Sequence, residues 1–221
     1  MLHQFLKSRL HMYIIISRNR MNIILTSLLI LMTACSCIKN SGPEEIAPPE
    51  QSNYNSINPF YPDIYDRKQW DRVAQSQAGP LFIKMAEKML HSAKDYNDID
   101  ERYLDFLKTG KRDLYYQPYF EREKLLGVLI FAECIENKGR FIAPLEKVIR
   151  EICEERTWVL PCHDLSLANF NQERIDIDIC SPRRGADLCL ALVIMKDKLS
   201  SELQILIREK VNQRIIQPFK D

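Results

Sequence analysis

Trp158, His163 and Asp164 share one short segment, WVLPCHD, and together they are the residues best able to do chemistry. An indole offers a flat apolar face on which a ligand ring can stack. An imidazole hydrogen-bonds or moves a proton near neutral pH, and a carboxylate beside it can orient the ring. A loop at the end of a helical hairpin is a natural place for a binding rim. The competing reading keeps Trp158 in the core, with His163 and Asp164 pinning the loop. Tyr115, Tyr116 and Tyr119 are further candidates, although tyrosines mostly pack with a satisfied hydroxyl. The seven cysteines form no C-x-x-C pair and no His/Cys cluster, so no metal site and no cofactor is expected. Cys134, Cys153 and Cys189 fall in apolar helical patterns and read as small core residues. Cys162 and Cys180 have loop-like surroundings and could pair.

The elements that must position this loop are two helices just before it. Leu125, Val128, Leu129 and Ala132 follow the i, i+3, i+4, i+7 spacing. Leu126, Ile130, Phe131, Cys134 and Ile135 fill most of the remaining circumference, so this helix must be covered on several sides. Asn137-Lys138-Gly139 reads as a stop, because glycine takes the left-handed conformation at little cost. The next helix starts around Ile142, with Pro144 tolerated in its first turn. Leu145, Val148, Ile149 and Ile152 form its stripe, and the two helices make an αα-hairpin.

Elsewhere, a first helix starts after Asp66, with Trp70, Val73 and Ala74 on one face. Gly79-Pro80 separates it from a second, striped by Phe82, Met85, Ala86, Met89, Leu90 and Ala93. Residues 103–119 read as irregular, turning at Thr109-Gly110-Lys111. Ile175, Ile177 and Ile179 alternate with acids as in a strand, yet no partner strand is visible, so an extended connection is expected. Ser181-Pro182 opens another helix, and Leu188 to Met195 is apolar enough to be buried all round. Ser200 caps a last helix, striped by Leu203, Leu206, Ile207 and Val211 and ended by Gln217-Pro218. The expected fold is all-α, with about six helices in hairpin-like pairs.

The 221 residues carry a formal net charge of +1, and no basic run or stripe stands out, so no nucleic-acid partner is implied. Lys7, Arg9, Arg18 and Arg20 precede a short apolar core from Ile23 to Leu31, which has the form of an export signal. LMTAC, ending at Cys35, resembles a bacterial lipobox. That implies a signal peptide over 1–34, lipidation of Cys35 and attachment to a membrane by acyl chains. Cys37 is an alternative acceptor, an uncleaved signal anchor is an alternative to cleavage, and the start is Met1 or Met12, since a start at Met21 would lose the basic leader. Residues 35–57 are polar and proline-bearing, as expected of a tether, which leaves 58–221 as the helical domain.

Four segments in order, YLDFLKTGKRDLYYQPYF, AECIENKGRF, the run ending WVLPCHD, and QRIIQPF, resemble the N-terminal helical part of heparinase II/III-like polysaccharide lyases. The resemblance implies αα-hairpins forming part of an (α/α) toroid, incomplete here, and cleavage of uronic-acid-containing polysaccharides by β-elimination. It implies an acidic polysaccharide as partner and a periplasmic or cell-surface location. Elimination requires neutralisation of a carboxylate, a base and an acid. In such lyases Asn, His and Tyr supply these from later hairpins and a β-rich domain. No catalytic residue is carried over, and a missing C-terminal portion is expected. Trp158, His163 and Asp164 remain as substrate-binding candidates, with Trp158 against a sugar ring. The helix opening Ser181-Pro182-Arg183-Arg184-Gly185 departs from the small and acidic residues that relatives tend to have. A helical-repeat lipoprotein that binds glycans or proteins without chemistry is the alternative.

Overall fold

The computed structural model describes residues 62–94 and 97–220. The signal peptide, Cys35 and the tether lie outside the described residues. Among those described, the chain is all-α, with seven packed helices and no strand. They are α1 (Arg67–Gln75), α2 (Ala78–Ser92), α3 (Ile99–Thr109), α4 (Asp113–Glu136), α5 (Ile142–Glu154), α6 (Ser181–Met195) and α7 (Ser201–Val211). A π-helical turn, Asn212–Ile216, leads from α7 into a terminal α8 (Gln217–Lys220).

The apolar circumference of α4 makes it the hub. It packs against α1, α2, α3, α5 and α6, and Leu129 and Ala132 on it are wholly buried. The pairs α1/α2, α4/α5 and α6/α7 are each in contact, as expected of hairpins. Asp66 caps α1 by accepting from the Gln69 N–H. The α4–α5 turn forms where expected, with Asn137 itself left-handed (φ 53°) as well as Gly139 (φ 78°). A buried carboxylate fixes it: Glu133 accepts the N–H groups of Gly139 at 2.6 Å and Phe141 at 3.1 Å.

Four sequence expectations are corrected. Residues 103–119 are not irregular; they belong to α3 and α4, and Gly110 (φ 65°) is the C-cap of α3. Pro118 lies inside α4, and its missing N–H orphans the Leu114 carbonyl. Arg102 on α3 donates to that carbonyl at 3.2 Å, so the proline is tolerated. Gly79-Pro80 does not divide α1 from α2 but sits in the first turn of α2. A Cβ on Gly79 would come within 2.6 Å of the Val73 carbonyl oxygen, so the close approach of the two helices requires glycine. The α6 helix is buried on one side only: Leu188, Ala191, Ile194 and Met195 face in, while Cys189 and Val193 are exposed. Finally, Pro218 does not end the helical path. Its ring crowds the Arg214 carbonyl, and the backbone widens into a π turn in which the Gln217 N–H bonds to the Asn212 carbonyl.

Residues 175–178 form neither helix nor strand, in keeping with a connection rather than part of a sheet. Burial pushes the Cys134 and Cys153 thiols up to about 12, in keeping with inert core residues.

Candidate functional site: a cationic cavity beside the Trp158 loop

The chain leaves α5 at Glu154 and runs through Trp158 into a 3₁₀ turn, Pro161–His163, packed on α3. Trp158 is 1 % exposed; its Nε1 donates to the Ile152 carbonyl at 2.9 Å, and the Arg214 guanidinium lies 5.0 Å from the ring. The indole is therefore a core residue capped by a cation, with neither face turned to solvent.

Asp164 is also 1 % exposed. It accepts from the Tyr103 hydroxyl at 3.0 Å, the Phe170 N–H at 2.9 Å, and the Asn169 N–H and Nδ2 at 3.1 and 3.2 Å. Tyr103 in turn stacks on Phe170 and meets Tyr115 edge-on. The expectation that Asp164 orients His163 is corrected. The 3₁₀ turn sends the two side chains apart, and His163 Nδ1 pairs instead with Asp178, at 2.9 Å. Asp178 also accepts the N–H groups of Leu160, Cys180 and Ser181 and the Ser181 hydroxyl, at 2.7–2.9 Å. The cap of α6 is thus this carboxylate rather than the serine hydroxyl. Burial alone would raise Asp178, but these donors hold it below the ordinary carboxylate value.

Trp158 also borders a cavity of about 190 Å³, whose lining includes Asn169 and Ser181 of the networks just described. Arg156, Arg174, Lys210 and Arg214 line it, and Asp176 is the one carboxylate among its lining residues. Trp158 contributes to its wall; His163 and Asp164 do not. Arg156 pairs with Asp100 and Arg174 with Asp176, at 2.7 and 2.8 Å. Gln172 on the lining loop has φ 62°, as does Leu167, and neither is glycine.

Behind the cavity three arginines converge on Glu155. Arg122 Nη2 is 2.6 Å from one carboxylate oxygen, Arg184 Nη1 is 2.7 Å from both, and Arg214 Nη2 donates to the Glu155 backbone carbonyl. Arg184 also lies over the Tyr119 ring, 3.5 Å from its centroid. Burial alone would lower Arg184, yet Glu155 and the neighbouring tyrosines hold it above its ordinary value. For Arg214 burial wins, and its value is pulled down despite Glu155. A guanidinium stays protonated regardless, so the direction marks the cost of burying this cation.

No family model matches the chain, and no curated protein is detectably similar to it. The likeness to heparinase II/III-like lyases therefore rests on the four quoted segments. Among the described residues no group of three His, Cys, Asp or Glu could hold a metal, and no helix is long and apolar enough to cross a membrane.

Sequence reasoning missed Arg156, Arg174, Lys210, Arg214 and Asp178. The cationic residues come from three separate places in the chain, with Lys210 and Arg214 one turn apart, and form no run. For Asp178 the only signal was its place in the alternating Ile-Asp stretch.

Proposed function

We propose that residues 62–220 are the glycan-holding helical portion of a heparinase II/III-like polysaccharide lyase, an arc of an (α/α) toroid that binds uronic-acid-containing chains. One observation carries this reading: four cationic side chains and a single carboxylate line a cavity beside the Trp158 loop. Guanidinium groups match carboxylates in shape and charge, and pair with them through two parallel hydrogen bonds. A left-handed, non-glycine residue in the lining, Gln172, adds to it, since such backbone strain clusters at ligand sites. Exposed apolar side chains on the last three helices, Val193, Ile205 and Phe219, fit an arc that continues in further hairpins.

Elimination also needs a base and an acid, and neither histidine nor tyrosine lines this cavity. The domain accordingly holds the substrate while the proton transfers belong elsewhere. A lipoprotein that binds acidic glycans with no chemistry at all shares this binding step. In either case the chain is exported and anchored through a lipid on Cys35.

Titration calorimetry of the chain with a uronic-acid tetrasaccharide, alongside an absorbance assay for unsaturated uronyl product, tests the reading. The expected result is binding without turnover. Equal affinity for a neutral tetrasaccharide, or no binding to either, overturns it.

A further inference from the structure

The geometry points to an oxyanion subsite at Arg214, which takes a single carboxylate or sulfate group and thereby completes the charge balance of the buried arginine cluster. This rests on the glycan-binding reading only for the source of the anion.

Three observations converge. First, Arg122, Arg184 and Arg214 surround one carboxylate, Glu155, so positive charge is in excess where solvent screening is weak. Burying such charge is costly unless an anion completes it. Second, Arg214 lines the cavity and is only 8 % exposed, and its Nη1 has no hydrogen-bond partner, as is also true of Arg184 Nε in the same cluster. Its other terminal nitrogen is committed to the Glu155 carbonyl, and its guanidinium is fixed over Trp158. A buried, unsatisfied guanidinium nitrogen requires an explanation, and a missing acceptor is the direct one. Third, Arg214 and its cavity-lining neighbour Gln213 lie in the π turn. Pro218 accounts for the widening itself, and such turns are frequent at functional sites. Here the wider turn carries two consecutive side chains to the same cavity.

The volume fixes the scale of the ligand. About 190 Å³ is well below the roughly 300–1,000 Å³ of pockets that enclose a whole small molecule. One charged group enters, and the rest of a polymer stays outside, along the rim formed by Arg156, Arg174 and Lys210. The rim lysine adds charge without geometric demand, whereas Arg214 presents a fixed planar fork.

The same full-length chain is titrated with sodium sulfate, with sodium glucuronate and with the uronic-acid tetrasaccharide, against sodium chloride at equal ionic strength. Melting is followed in parallel, because a ligand bound only by the folded state raises the midpoint. Sulfate and glucuronate are expected to raise it where chloride does not. Lys210→Glu, a rim change, is expected to weaken both anions and the tetrasaccharide at least 10-fold while the anion-free midpoint is maintained. Arg214→Lys, which keeps the charge and loses the fork, is expected to weaken them as well. If Arg214→Lys does not fold, Lys210→Glu and Gln213→Glu carry the test alone. Tetrasaccharide binding that neither rim variant weakens, with no effect of small anions, overturns the subsite and leaves the glycan reading standing. Small-anion binding that Lys210→Glu abolishes, with no tetrasaccharide binding, supports the subsite and overturns the glycan reading, making a free anion the ligand. No response to any of the three overturns both.

Discussion

Two clusters of buried polar groups flank the Trp158 segment, and they are resolved in opposite ways. In one, Asp164 and Asp178 each gather four or five donors, from backbone N–H groups, Tyr103, Asn169, Ser181 and His163. Acceptors and donors match, and the loop is held in one shape. In the other, Arg122 and Arg184 meet the Glu155 carboxylate, Arg214 meets its backbone carbonyl, and Arg184 Nε and Arg214 Nη1 are left over. A fully satisfied network specifies a structure, whereas a buried cation lacking an acceptor costs free energy until something supplies one. Asn169 and Ser181 of the matched network also line the cavity, so the network that keeps shape forms part of the wall that the arginines border. The contrast reverses the roles expected from sequence, where His163 and Asp164 were candidates for contact.

The comparison breaks most visibly at Glu155. Glu155→Gln removes the one carboxylate shared by the buried arginines, and stability should fall by about 3–5 kcal/mol in urea titrations, as for other broken buried ion pairs. A loss below about 1 kcal/mol would mean that the arginines are solvated and the charge excess is not real.

On the satisfied side, Asp178→Asn should cost about 1.5–3 kcal/mol, the range for hydrogen bonds to a charged group. Its sign with pH is defined. A carboxylate held below its ordinary value contributes stability that is present above the unfolded value of about 3.9 and is lost as pH falls through the folded one. The wild type should therefore lose stability on acidification below about pH 4, and Asp178→Asn should flatten that limb.

Asp187 on α6 sharpens the contrast from the opposite direction. Burial, with Glu123 nearby, pushes its carboxyl up to about 7. The folded state then binds the proton more tightly than the unfolded chain, so stability declines as pH rises from about 4 to 7 and is level above that. Asp187→Asn should remove this slope and raise the midpoint of unfolding at pH 8.

The smallest effect is expected at His163. Its side chain is 40 % exposed while its partner Asp178 is 5 % exposed. His163→Ala should cost about 1 kcal/mol or less, because solvent screens the pair and Asp178 keeps its other donors. Acidic-glycan affinity should be unchanged, since the imidazole does not line the cavity.

What could be read in the sequence was local. The α4–α5 hairpin was legible because nearly every position of α4 between Leu125 and Ile135 is apolar and the Asn137–Gly139 stop follows it. The helicity of residues 103–119 was not legible. Clustered tyrosines and Gly110 look like a turn, and Pro118 looks like a breaker, until Arg102 is seen to satisfy the Leu114 carbonyl. The partner of His163 was missed because a sequence neighbour is not a spatial neighbour across a 3₁₀ turn. The cavity was invisible for the same reason: Arg156, Arg174, Lys210 and Arg214 are ordinary solvated residues in one dimension and gather only when α7 and its π turn fold against the loop.

The most direct test of the central claim is the affinity of the full chain for a uronic-acid tetrasaccharide, measured by calorimetry before and after Lys210→Glu. Binding to the wild type, at least 10-fold weaker in the variant and with the melting midpoint kept, is the predicted result. Affinity unaltered by the charge reversal, or matched by a neutral tetrasaccharide, would contradict it.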